Sequence, residues 1–214
     1  MKVLNLYSGI GGNRKLWENV DVTAVEIVPE IAIVYKDFFP DDEIIIGDAH
    51  QYLLDHYKEF DFIWSSPPCP THSRMRRWMQ VDYTVDAVYP DMTLWQEIIF
   101  LESHFKGKYC VENVISYYDP LIKPQTIGRH YYWANFLIRE SKPDESRTVR
   151  DRTKEELMAI HGFDLTQYIN LTEKRKILRN CADPEIGNII LDSARGNTQM
   201  TLKSSINKHR KRSL

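Results

Sequence analysis

Cys69 lies in Ser65-Ser66-Pro67-Pro68-Cys69-Pro70-Thr71-His72-Ser73, directly after an apolar run from Phe60 to Trp64. A thiol on a proline-stiffened loop at the end of a buried strand is held out toward a crevice, where it can serve as a nucleophile. In an open α/β sheet, ligands bind in the crevice outside the carboxyl ends of the strands. Glu112 ends a second apolar run in Val111-Glu112-Asn113-Val114. Neighbouring strand ends lie roughly 5 Å apart in the pairing direction, so thiol and carboxyl can flank one small ring. A third feature precedes both. Ser8-Gly9-Ile10-Gly11-Gly12 follows the first apolar run, and the next two runs end in Glu26 and in Gly47-Asp48. Glycine lets backbone approach a ligand closely, a carboxylate at the second strand end can accept both hydroxyls of a ribose, and Asp48 can meet an adenine amino group. Together these describe a nucleoside site with an amino-acid or phosphate pocket. The glycine spacing is not G-x-G-x-x-G, which counts against a dinucleotide.

The elements that must position these groups read as alternating strands and helices. Strands are expected over Lys2–Tyr7, Val22–Glu26, Glu43–Ile46, Phe60–Trp64 and Tyr109–Glu112. A helical pattern runs through Leu16 and Trp17, another begins at Pro29, and Leu94, Trp95, Ile98, Ile99 and Leu101 form a helical stripe. Ser65 to Pro90 lacks clear periodicity and is rich in Arg and Met. This alternation predicts an α/β fold with a doubly wound parallel sheet.

Composition narrows the class. The 43% apolar content suits a globular domain, and no apolar stretch approaches the ~18 residues a membrane span needs. The N-terminus runs straight into a strand, which predicts no signal peptide. Three cysteines without paired spacing give neither a disulfide framework nor a metal site, and a reducing cytoplasm fits. Residues 1–70 hold 5 Lys and Arg against 12 Asp and Glu, whereas residues 71–214 hold 23 against 18. An acidic first half suits a small-ligand site, and a basic second half suits a polyanion.

With these residues in view, the chain resembles the DNA cytosine-5 methyltransferases. Leu4-Asn5-Leu6-Tyr7-Ser8-Gly9-Ile10-Gly11-Gly12 looks like the family's D-L-F-x-G-x-G-G, Pro67-Pro68-Cys69 like its P-P-C-Q, and Glu112-Asn113-Val114 is its E-N-V triplet. Ile160-His161-Gly162-Phe163-Asp164 is similar to L-x-G-F-P, and Leu178-Arg179-Asn180-Cys181-Ala182 to the late G-N-x-V motif. The resemblance implies a Rossmann-like fold, S-adenosylmethionine as cofactor and duplex DNA with a flipped-out cytosine as partner. It implies Cys69, Glu112 and Arg129 as the catalytic set. It implies Tyr7, Ser8, Gly9, Gly11, Gly12, Glu26, Ile27, Asp48, Ala49, Pro68 and Asn180 around the cofactor, and Ser73, Arg74, Arg76 and Arg77 on the nucleic acid. His72 and the three arginines would supply the electropositive setting a thiolate needs. The Ser65–Pro90 segment would be a mobile loop closing on the substrate, with Met75 or Trp78 filling the gap left by the flipped base.

Three departures stand out. Pro70 replaces the Gln of P-P-C-Q. Thr126-Ile127-Gly128-Arg129-His130 stands where the family has Q-x-R-x-R, leaving Arg129, then His130, as the stand-in for the middle arginine. Only residues 136–156 remain where the family carries a long target-recognition domain. The expected organisation is therefore a core over 1–135, a short recognition-like insert over 136–156, a completing segment over 157–202 and a basic tail over 203–214. Short or relaxed sequence specificity follows, as in compact methyltransferases of phages and restriction-modification systems. A transfer-RNA cytosine methyltransferase, an exocyclic-nitrogen methyltransferase with S-P-P-Y in place of P-P-C, and a non-catalytic DNA-binding relative are the competing readings.

Overall fold

A computed structural model describes residues 1–81, 85–139, 149 and 151–196. Seven strands form one sheet: β1 (Lys2–Leu6), β2 (Asp21–Glu26), β3 (Glu43–Ile46), β4 (Phe62–Ser65), β5 (Lys108–Val114), β6 (Gln125–Ile127) and β7 (His130–Ala134). Their order is β3-β2-β1-β4-β5-β7-β6. The first five are parallel; β7 runs antiparallel to β5, and β6 antiparallel to β7. Helices α1 (Pro29–Phe38), α2 (Ala49–His56), α3 (Arg74–Val81), α4 (Thr93–His104), α5 (Lys154–His161), α6 (Lys174–Arg179) and α7 (Pro184–Ala194) complete the described elements.

β1 and β4 are central and buried along nearly their whole length, so both read as continuous apolar runs rather than alternating ones. Their side chains divide between two cores. Leu4, Leu6, Ile63 and Val111 pack with Leu94, Trp95, Ile98 and Leu101 of α4. Val3, Phe62, Trp64 and Cys110 pack with Ile190 and Leu191 of α7. A third cluster joins Ile10 and Val34 to Phe163, Leu165 and Leu178. The chain leaves β1 toward β2 on one side and returns to β4 on the other. The switch point, and so the crevice, therefore lies at the ends of β1 and β4.

Two sequence expectations are corrected. The helix foreseen through Leu16 and Trp17 does not form: residues 12–16 are turns. Glycine is a poor helix former, and tertiary bonds take this segment instead. Asn13 Nδ2 donates to Asn5 Oδ1 at 2.7 Å, Arg14 grips the buried Asp42 carboxylate through Nε at 2.8 Å and Nη2 at 2.9 Å, and Trp17 Nε1 donates to the Gly187 carbonyl at 3.0 Å. The segment after Cys69, foreseen without periodicity, contains α3. Its base is docked: Asn113 Nδ2 donates to the Pro67 carbonyl at 2.9 Å, Asp91 N–H to Thr71 Oγ1 at 2.9 Å, and Ser73 bridges to Ser116. The basic tail over 203–214 and most of the recognition-like insert, including Lys142, Arg147 and Arg150, lie outside the described residues. Among the described residues no helix is long and apolar enough to cross a membrane.

Candidate active site

Cys69 sits four residues past the end of β4, half-buried. Glu112 lies near the end of β5, the adjacent parallel strand, with its side chain 14% exposed. The two share one electrostatic environment. Burial, and then the Glu112 charge, push the Cys69 thiol up to about 11. The expected electropositive setting is absent from this conformation. Burial lowers the His72 imidazole, whose Nδ1 lies 2.6 Å from the Tyr118 hydroxyl. Arg74 Nε donates to the Ser116 carbonyl at 3.2 Å, and Arg76 Nη2 to the Asp86 carbonyl at 3.2 Å. Cys69 is thus held as a thiol here, with a proton to give.

Arg129 is also reassigned. It is exposed in the turn between β6 and β7, which Gly128 makes with φ +57°. The side chain that reaches Glu112 is His130, with Nε2 3.5 Å from Oε1. Side chains alternate faces along a strand. Cys110, Glu112 and Val114 pair with Ala134, Tyr132 and His130, which puts Glu112 and His130 on one face. Cys110 itself is fully buried, as a packing thiol.

The glycine turn closes the other side of the crevice. Glu26, buried at the end of β2, accepts from Gly9 N–H at 2.9 Å and Val28 N–H at 3.0 Å, which fixes the turn. A carboxylate has about four acceptor sites, so capacity remains for further donors. Gly9 has φ +53°, and a side chain there would meet open space. Gly11 and Gly12 are close approaches: a Cβ on Gly12 would stand 2.3 Å from the Ala182 carbonyl and the Cys181 sulfur. The late motif therefore touches the glycine turn through Cys181 and Ala182, while Asn180 ends α6 exposed. Asp48 caps α2, accepting from His50 N–H at 2.8 Å and Gln51 N–H at 3.3 Å. Ala49 packs its methyl into the core, so only its backbone can serve a ligand. Ile27 and Pro68 are exposed. Ser8 Oγ is buried with no hydrogen-bond partner among the described residues. An orphaned hydroxyl, an open glycine and two carboxylates at consecutive strand ends fit an adenosyl donor.

Glu97 was not singled out from sequence. It sits within the apolar stripe of α4, fully buried, while Ile99 points outward. Its Oε1 accepts from the Tyr7 hydroxyl at 2.6 Å and lies 3.0 Å from His50 Nδ1, and its Oε2 accepts from the Ser65 hydroxyl. That bond to Glu97 raises the His50 imidazole. Glu97 thereby ties together the ends of β1 and β4 and the start of α2, beneath the crevice. The available signal was an acid three residues after Leu94 and four before Leu101, on the buried face.

A family model described as C-5 cytosine-specific DNA methylase matches residues 1–120. A tRNA (cytosine(38)-C(5))-methyltransferase of Spodoptera frugiperda is 33% identical over 85 residues, covering 36% of this chain and 26% of that protein. The chain thus spans about a quarter of that curated relative. Among solved structures, the Entamoeba histolytica methyltransferase EhMeth superposes with a TM-score of 0.54 at 12% identity, covering 93% of this chain and 99% of that one. A mutant of Spodoptera frugiperda DNMT2 is 26% identical with a TM-score of 0.38, over 53% of this chain and 35% of that one.

Proposed function

The chain belongs to the C-5 cytosine-specific DNA methylase family, and from that premise we propose that it methylates C5 of a cytosine in DNA through a covalent bond between Cys69 and C6 of the ring. The observation that carries this reading is the coupling of Cys69 and Glu112 at the ends of adjacent strands, beside the glycine turn. S-adenosylmethionine, when bound, supplies a methyl group made electrophilic by its sulfonium sulfur. Tyr7, Ser8, Gly9, Gly11, Gly12, Glu26, Ile27, Asp48, Ala49, Pro68 and Asn180 are the residues assigned to hold it.

Cytosine C5 is a weak nucleophile. Attack of the Cys69 thiolate at C6 forms a C–S bond and pushes the ring electrons toward C5. Glu112, carrying a proton, delivers it to ring N3 and offsets the arriving negative charge. C5 then takes the methyl group, the C5 proton leaves to a base, the C–S bond breaks and Cys69 departs. One proton shared between thiol and carboxyl suits both ends of this sequence, because its passage from sulfur to Glu112 yields the nucleophile and the acid together. The ring is unreachable inside a stacked duplex, so a duplex substrate would have to extrude the base.

Oligonucleotides containing 5-fluorocytosine test the reading, since fluorine cannot leave as a proton does. A denaturation-resistant adduct that Cys69→Ser abolishes is the expected result; no adduct on any nucleic acid would sink it. A second reading, transfer RNA as substrate, is favoured by the 33%-identical relative and its named activity. Parallel incubation with tRNA and duplex DNA separates the two. Short or relaxed specificity is part of the proposal, because residues 136–156 leave little chain to read base edges. Of these, Ile138 is buried in the core and Arg139 N–H donates to Ser193 Oγ at 3.1 Å.

A further inference from the structure

Helix α3 follows the nucleophile loop and is attached to the body on one side. Arg74 bonds the Ser116 carbonyl, while Arg76 Nη2 and Gln80 Nε2 both donate to the Asp86 carbonyl at 3.2 Å. None of its eight residues is buried. Arg74, Arg77, Trp78 and Val81 recur at i, i+3, i+4 and i+7, so they share one face. Trp78 is 64% exposed and Val81 59%, with Met75 beside them at 57%. The helix carries three arginines and no acid.

An apolar stripe left in water marks an interaction surface. Its chemistry selects the occupant. Three guanidinium groups without a compensating carboxylate call for a polyanion. A large exposed indole between them calls for flat π surfaces. A duplex offers phosphates but keeps its base faces stacked inside, whereas an unpaired strand offers both. The stripe is also continuous with the Cys69 loop, whose chemistry needs an unstacked pyrimidine.

We propose that the outer face of α3 docks an unpaired polynucleotide strand, with Trp78 stacking on a base near the target cytosine and Arg77 on a phosphate. The substrate is then single-stranded or looped around its target. This rests on the methyl-transfer reading for the identity of the neighbouring cytosine, though not for the strand preference.

Fluorescence anisotropy with the full chain tests it, using a cytosine-containing single strand and its duplex at one fixed salt concentration. The single strand should bind about tenfold more tightly or better. Trp78→Ala should weaken single-strand binding by roughly tenfold, in line with the loss of one stacked base, while Trp78→Phe retains most of it and duplex binding is unmoved. Because Trp78 is not buried, circular dichroism should show the fold intact. Duplex binding as tight as single-strand binding, or a Trp78→Ala variant that binds the single strand like the parent, would overturn the proposal. The 5-fluorocytosine adduct is scored separately. Its absence with the strand preference intact refutes methyl transfer and leaves the docking face standing; its presence without the preference does the reverse.

Discussion

The charge of Glu112 helps keep the proton on Cys69: burial raises the thiol most, and the neighbouring carboxylate adds to it, bringing the thiol to about 11. At pH 7 roughly one such thiol in ten thousand is ionised, against a few per cent for an ordinary cysteine. The free protein is therefore quiet, and losing the negative charge of Glu112 is what favours the thiolate.

Glu112→Gln should act in opposite directions on two readouts. Iodoacetamide labelling of Cys69 at pH 8 should accelerate, because one cause of the raised thiol is gone. Methyl transfer should fall by about a hundredfold or more, as general-acid catalysis is lost. In the parent protein, labelling of Cys69 should keep rising with pH beyond 9 and level off only near 11. A plateau by pH 9 would show that the thiol is not raised.

His130 and Arg129 should separate. His130→Ala removes the cation 3.5 Å from Glu112 and should lower methyl transfer by about tenfold or more. Arg129→Ala, in an exposed turn, should change it less. Single-turnover rates at saturating cofactor make the comparison, and equal losses would return Arg129 to the active site.

Glu97→Ala should destabilise the fold by about 3 kcal/mol, because it strips the acceptor from the Tyr7 and Ser65 hydroxyls in a buried setting. Glu97→Gln should cost less, since one carbonyl oxygen remains. Urea denaturation read by tryptophan fluorescence measures both, and a neutral Glu97→Ala would mean these bonds contribute little.

Gly9 and Gly12 should fail for different reasons. Gly12→Ala drives a methyl into the Ala182 backbone and should cost about 2 kcal/mol or more. Gly9→Ala has room but sits at φ +53°, a left-handed conformation costing roughly 1–2 kcal/mol. Thermal melts rank the two, and isothermal titration with S-adenosylhomocysteine reports whether the Gly9 methyl also blocks the open space beside the turn.

Some of this molecule is written locally. The alternation of apolar runs and helical stripes was enough to locate β1 through β5, and Pro67-Pro68 with Cys69 at a strand end was enough to mark a nucleophile. Strand periodicity and turn chemistry depend on neighbours in sequence, so a reader of sequence can recover them. The hairpin of β6 and β7 carried too short a pattern to be seen.

Tertiary structure decided the rest, because burial and register are properties of pairs far apart in the chain. Whether residues 12–16 coil into a helix depended on Asn5, Asp42 and Gly187, none of them nearby. Whether Arg129 or His130 faces Glu112 depended on which residue of β7 pairs with Val114, since a shift of one residue exchanges the faces of a strand. Glu97 reads as a surface acid until the hydroxyls of Tyr7 and Ser65, from two other strand ends, are brought over it. The thiol of Cys69 reads as reactive until the volume around it excludes water, which no local pattern encodes.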